Sequence, residues 1–210
     1  RIRCNVSGKK GSISRGAGYR MMRVTRERRA RFGVTELVML VKDAAHKVRS
    51  RYRDAVLMVG DLSTRTGGPI DHHGSHQNGR DVDFSFYMKD GAGDSVTLER
   101  FVAFDKNGYS VDPPMTYRFD AERSWALVRY LLESRYGTVQ WIFVADHLKQ
   151  LVLAHAEKAG ASRALVARAE QVLHQPTGKL HWDHFHVRIY CPAGDRPRCL
   201  DVGPRWAWAR

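Results

Sequence analysis

At 210 residues, with 43% hydrophobic and 27% charged side chains, the chain is long enough for one well-buried core. No stretch approaches the roughly 18 apolar residues of a helical membrane span. The start RIRCNVSGKK lacks the form of a leader, so a soluble chain with any export signal already removed is expected, and the net charge of +13 implies attraction to polyanions without choosing among nucleic acid, membrane surface and acidic wall polymer.

In chain order, residues 1–33 are rich in Gly, Ser and Arg and read as a basic arm wrapped on a domain that occupies residues 34–210. Arg20, Arg23, Arg26, Arg28, Arg29 and Arg31 form either a solvated face or a guanidinium row for phosphate or carboxylate partners. Thr35 is placed to cap a helix whose stripe is Leu37, Val38, Val41, Ala44, Ala45, Val48 and Tyr52. The run AVLMVG then predicts a buried strand ending at Asp61. Residues 62–79 shift to Ser, Thr, Gly, Pro and His, the composition of a long loop of the kind that carries function.

Beyond that loop, Asp81 and Asp83 alternate with Val82 and Phe84, which predicts a strand with both carboxylates on one face. Residues 89–119 are broken by Gly, Asp and Pro and read only as a loop on the substrate side. Asp120 and Gly137 bracket a helix with Trp125, Val128, Leu131 and Leu132 on its inner stripe. VQWIFVA predicts a second central strand, and Asp146 and Ser162 cap two further helices, to about Ala159 and about Leu173. In HFHVRIY, His184, His186 and Arg188 share one face while Phe185, Val187 and Ile189 share the other.

Six of the ten histidines sit in two clusters about a hundred residues apart: His72, His73 and His76 in HHGSHQNGRDVD, and His181, His184 and His186 in HWDHFHVRIY. Imidazole and carboxylate are the ligand types a catalytic zinc prefers, three from protein with a fourth position for water. If the fold joins the clusters, His76, Asp83 and His186 are the ligand set, and zinc lowers the pKa of its water from 15.7 to about 7. His184, on the same strand face as a ligand, is then placed to take the water's proton or to stabilise the oxyanion, and His181 to do the other of the two. His72 is read as solvated, and His46, His147, His155 and His174 as structural or solvated.

Other hydrolytic routes lack their residues. No H-E-x-x-H, G-x-S-x-G or P-loop occurs, and Ser7 with Lys10 matches S-x-x-K by chance, in a basic stretch without a companion K-T-G. Cys191 and Cys199 bracket CPAGDRPRC, and spacing alone is equally compatible with a disulfide and with two free thiols. Cys4 has no evident partner.

GGPIDHHGSHQNGRDVD followed by HWDHFHVRIYCPAG resembles the penicillin-insensitive murein endopeptidases. These belong to a wider zinc peptidase group with lysostaphin-type endopeptidases, D-alanyl-D-alanine carboxypeptidases and the hedgehog signalling domain. The group shares H-x(6)-D, here His76 with Asp83, and H-x-H, here His184 with His186; the narrower pattern adds positions matched by His73 and His181. The resemblance runs from about Gly60 to Cys199. It implies zinc on His76, Asp83 and His186, catalytic assistance from His181 and His184, and a metal or substrate contact from His73. It also implies a Cys191 to Cys199 disulfide, and hence an exported protein, periplasmic or secreted. The chain departs from the family in lacking its further cysteines and in the basic arm. Where the D-alanyl dipeptidases and carboxypeptidases use a glutamate three residues before the last ligand, this chain has Asp183, a shorter and less favoured base.

The expected fold is α+β, with a central, mostly antiparallel sheet, helices packed on one side and the zinc site on the sheet face. The expected function is zinc-dependent hydrolysis of D-alanyl-diaminopimelyl cross-link amides in peptidoglycan stem peptides, without a serine acyl-enzyme and so insensitive to β-lactams. A zinc D,D-carboxypeptidase trimming terminal D-Ala and a zinc-retaining, non-catalytic binding module are the alternatives. No recognition helix or stacking platform specifies nucleic-acid binding.

Overall fold

The computed structural model describes residues 10–71, 73–113, 116–178 and 180–209. Cys4, Ser7 and His72 lie outside the described residues. The basic segment forms β1 (Lys10–Ser12), β2 (Arg15–Gly16), β3 (Tyr19–Met21), α1 (Arg23–Glu27) and β4 (Phe32–Val34). β1 pairs with β4 in a small sheet, whereas β2 and β3 extend the main one. Ile13, Met21, Met22 and Ala30 are buried, and Arg15, Arg20, Arg23 and Arg26 are exposed. This stretch is therefore built into the fold rather than wrapped around it, because most of its sparse apolar residues fall at inward positions, Val24 being an exposed exception.

α2 (Thr35–Arg51) follows directly, with Leu37, Val38, Val41, Ala44, Ala45 and Val48 buried at helical spacing. Thr35 is its first helical residue and Val34 occupies the cap position, one residue earlier than the sequence suggests. β5 (Leu57–Val59) and β6 (Asp81–Ser85) flank the His-rich loop. The stretch read only as a loop contains β7 (Met88–Lys89), β8 (Ser95–Val96) and β9 (Arg118–Phe119), which form a separate three-stranded sheet. α3 (Ala121–Leu132) starts where expected: the Asp120 carboxylate accepts from Arg123 N at 3.0 Å.

β10 (Val139–Phe143) precedes α4 (Asp146–Lys158), in which Asp146 opens the helix and Ala145 caps it. Ser162 does cap α5 (Arg163–Val172), its hydroxyl accepting from Leu165 N at 3.3 Å. β11 (Leu173–His174) and β12 (His184–Ile189) complete the sheet. No helix among the described residues is long and apolar enough to cross a membrane.

The seven-stranded sheet runs β11-β10-β12-β6-β5-β3-β2. It is mixed: four of its six pairings are antiparallel and two are parallel, so the expected antiparallel character holds for its centre but not throughout. Its inner pairings β10 with β12, β12 with β6 and β6 with β5 are antiparallel, but β3 with β5 and β10 with β11 are parallel. In both parallel pairs the chain returns through helices, α2 in one case and α4 with α5 in the other, and such a crossover is what parallel neighbours require. Helices α2, α3, α4 and α5 contact one another in succession as one layer. Val82, Phe84, Phe185, Val187 and Ile189 join the core, which leaves the alternate side chains of β6 and β12 for the opposite face.

Phe185 lies between the two site histidines of β12 and packs edge-on against Phe86 at 4.7 Å between ring centroids. Replacing it with Ala removes a nearly fully buried ring. The substitution is expected to cost about 3–5 kcal/mol, read from the urea unfolding midpoint.

Candidate metal centre

Strand pairing brings the two histidine clusters together. In the antiparallel register of β6 and β12, His186 stands opposite Asp83, His184 opposite Ser85 and Arg188 opposite Asp81. Directly opposed residues have Cβ atoms about 4.5–5.5 Å apart, so the register alone pairs an imidazole with a carboxylate. His76 reaches the same place from the long loop, in the left-handed region at φ 45°. His181 adopts the same φ of 45°. Backbone of this kind costs about 1–3 kcal/mol and persists only where its surroundings fix it.

Three atoms form a near-equilateral triangle. His76 Nε2 lies 3.3 Å from His186 Nδ1, and each lies 3.2 Å from Asp83 Oδ1. A tetrahedral zinc bonded at about 2.0–2.1 Å separates its ligand atoms by about 3.3 Å, so the triangle has the dimensions of one face of such a shell. Asp83 Oδ1 is buried and has no hydrogen bond of acceptable geometry, although two ring nitrogens lie this close. A cation bound there would satisfy that oxygen and the two nitrogens together. The outer ring nitrogens are already engaged: His76 Nδ1–H donates to Leu62 O at 2.8 Å, and His186 Nε2–H donates to Asp81 Oδ1 at 3.0 Å. Bonds of this sort fix the tautomer and ring angle of a metal-binding histidine.

The other anticipated residues surround this triangle. Nitrogens of His181, His184 and His186 lie within 4.8 Å of one another, as do the ligand atoms of His73, His76 and Asp83. His184 Nδ1–H donates to Asp183 Oδ1 at 2.7 Å, and its Nε2 is 3.6 Å from Asp83 Oδ1. His73 Nε2 contacts Asp61 Oδ2 at 3.0 Å, which also accepts from Arg28 at 2.9 Å. A cleft of about 400 Å³ opens beside these groups, lined by His73, His181, His184, His186, Phe143 and Arg188 among others. The histidines set aside from the sequence stay outside it: His46 is exposed, His147 bonds Phe104 O at 2.9 Å, and His174 packs on Trp141.

Several contributors carry little or no local sequence signal. Phe101, from the stretch with the weakest pattern, stacks on His184 at 4.6 Å and 22°. Gly60 permits that approach, because a Cβ there would meet Phe101 Cζ at 2.8 Å and Asp83 Cβ at 3.1 Å. Asp61 and Phe143 also come from strand ends with no motif around them. Asp81 had a signal in the D-x-D alternation, which gives its face but not its partner.

The family model described as penicillin-insensitive murein endopeptidase matches residues 4–205. The chain belongs to this family. Relatives named penicillin-insensitive murein endopeptidase include one from Salmonella heidelberg, 29% identical over 187 residues, which are 87% of this chain and 61% of the relative. Another, from Klebsiella pneumoniae (strain 342), is 28% identical over 191 residues, 89% of this chain and 63% of the relative. The chain thus spans about three fifths of the length of the curated relatives it matches. Cys191 and Cys199, beyond the last site strand of this murein endopeptidase family member, are joined by a disulfide.

Electrostatics at this site have a definite pH signature. Burial opposes ionisation of Asp81, yet the hydrogen bond from His186 and the charge of Arg188 hold its carboxyl well below the usual range. Burial likewise opposes ionisation of Asp83, outweighed by the His76 and His184 imidazoles. On His186 burial disfavours the charge, but Asp81 and Asp83 push its pKa up to about 9. The carboxylates contribute stability above their unfolded pKa of about 3.9, which is lost in acid. His186 contributes stability fully present below about 6.5 and lost as pH rises toward 9. Chelator-treated protein is therefore expected to unfold at lower urea concentration as pH rises from 6.5 to 9, whereas added zinc reverses that slope, because a metal displaces the same proton. Parallel profiles with and without zinc would contradict this assignment.

Proposed function

We propose that this chain is a zinc-dependent peptidoglycan endopeptidase that hydrolyses D-alanyl-diaminopimelyl cross-link amides outside the cytoplasm. The observation that carries the reading is the triangle of His76 Nε2, Asp83 Oδ1 and His186 Nδ1, which has the edge lengths of a zinc coordination face beside an open cleft. Family membership supports a murein substrate. The Cys191 to Cys199 disulfide supports an oxidising compartment, periplasmic or secreted.

In this reading His76, Asp83 and His186 hold the metal, and His73, backed by Asp61 and Arg28, contacts metal or substrate. Zinc in such a setting polarises a carbonyl and brings the ionisation of water near neutral pH. With Nδ1–H committed to Asp183, His184 presents Nε2 as the acceptor facing the triangle, so it takes the water's proton and returns it to the leaving amine. Asp183 orients the ring and supports its positive charge. His181, with its ring 5.1 Å from that of His184, is assigned to the oxyanion. Phe101 fixes the His184 ring plane from behind. No serine nucleophile takes part, so β-lactams have nothing to acylate.

Incubated with purified sacculi, the protein is expected to reduce cross-linked dimers and raise monomers; chelation abolishes the effect and penicillin leaves it unchanged. Dimers that persist with zinc supplied reject the substrate. Asp81→Asn keeps an oxygen near His186 but removes the charge that supports it, and is expected to weaken zinc binding about 10–100-fold in competition with a chelating dye. His186→Ala is expected to abolish stoichiometric binding in the same assay.

A further inference from the structure

Among the described residues that line the cleft, Arg188 is the one charged group that the mechanism above leaves without a task. It stands on β12 two positions beyond His186, on the same face and opposite Asp81. Its Nε–H donates to Asp81 Oδ1 at 2.7 Å. Asp81 is almost completely buried, so the direction of the guanidinium is fixed from below. The Arg188 side chain is 22% exposed and lines the cleft beside Pro176 and Thr177. Among the described residues no other hydrogen-bond partner engages it. A side chain that lines the cavity thus carries two terminal nitrogens without a protein partner among those residues, with four N–H donors in one plane. That is the fork that matches the two oxygens of a carboxylate.

Charge and distance narrow the ligand. Asp81 Oδ1 is shared between Arg188 and His186, so it only partly neutralises the guanidinium. Two residues of strand separate Arg188 from the metal-facing His186 by about 7 Å. One residue's length of substrate, about 3.5 Å, and a hydrogen bond of about 2.9 Å nearly span that interval. We propose that Arg188 binds a free carboxylate on the substrate carbon that bears the scissile nitrogen, and so selects the leaving group. This inference rests on the endopeptidase reading, since a D-alanyl-diaminopimelyl amide carries such a carboxylate next to the nitrogen that departs. A chain-terminal D-alanyl-D-alanine offers the same chemistry from a different source.

The test compares a synthetic cross-linked peptide carrying that carboxylate free with the same peptide carrying it as a primary amide. Wild-type enzyme is expected to favour the free acid in kcat/KM by about 10–100-fold, the range set by one charge-assisted pair. Arg188→Gln should bring the two within about twofold by losing rate only on the acid, and Arg188→Lys should retain part of the preference. Calorimetric binding of the released diaminopimelyl product, acid against amide, gives the same ratio without turnover. Zinc content is measured on every variant. If Gln at this position loses zinc, the Lys variant carries the test, since it keeps a cation beside Asp81 but lacks the fork. The same acid and amide pair built on a pentapeptide ending in D-alanyl-D-alanine tells a cross-link carboxylate from a chain-end one. Equal cleavage of acid and amide by wild type, or an undiminished preference in Arg188→Gln, overturns the role of Arg188 while leaving the endopeptidase intact. Cleavage of neither peptide by zinc-loaded wild type overturns the endopeptidase reading itself.

Discussion

Two carboxylates buried side by side on one strand face set the conditions that the rest of the site meets. Asp81 and Asp83 are each about 1% exposed, and an unpaired carboxylate in such a place is too costly to keep ionised. β12 answers them in register, with Arg188 opposite Asp81 and His186 opposite Asp83. His186 touches both, through Nε2 to Asp81 and Nδ1 to Asp83. A shift of β12 by one residue would turn Phe185 and Val187 toward the carboxylates and the histidines into the core. The buried charges therefore select one register, and the hydrophobic alternation of both strands selects the same one.

Strand pairing supplies only part of the site. His76 and His181 arrive on loops in left-handed backbone, and each is tied down near its site. His76 is anchored through Leu62 O at the start of its own loop, and His181 through its carbonyl, which accepts from Ala145 N at 3.0 Å. The strands thus provide a floor of Asp81, Asp83, His184 and His186, while two loops about a hundred residues apart in sequence close over it. This division accounts for strain appearing on the loops and not on the strands: a strand residue takes its direction from the pleat, whereas a loop residue must be bent into place.

The same division explains how much could be read from the chain. Asp83, His184 and His186 were legible because D-x-D and H-x-H fall in segments of clean alternation, where spacing determines face; His76 sits on a loop, so only the H-x(6)-D spacing to Asp83 pointed to it. Helices α2 to α5 were legible to within a residue at their starts, with Asp120 and Ser162 capping as expected and Thr35 and Asp146 each one position inside, whereas the short α1 was not read. Phe101 and Asp61 were not legible, since their roles depend on which strand lies next to which. The two-residue strands β7, β8 and β9 are too short for a period to register. In residues 10–33 the abundance of arginine masked an inward set, Ile13, Met21 and Ala30, that is spaced irregularly because strand, helix and turn alternate within a few residues. The parallel pairings of the sheet were hidden for a related reason: alternation gives the face of a strand and says nothing of its neighbour's direction.

Surface charge and site charge have opposite signs, and the distinction matters for binding. The net charge of +13 resides largely on exposed arginines such as Arg15, Arg20, Arg23 and Arg26, whereas Asp61, Asp81, Asp83 and Asp183 gather around the histidines. At physiological ionic strength the field of an exposed charge decays over about 8 Å. The distant arginines therefore do little to repel a divalent cation from a buried acidic centre, but together they favour approach to a polyanion. Within the cleft, Arg188 is the exception, a cation held among carboxylates by Asp81. In the proposed reading, a substrate with a neutral scissile amide and a neighbouring carboxylate would meet positive charge on the outside, an acidic pocket able to hold a metal at the reacting carbonyl, and the Arg188 guanidinium for its own negative charge.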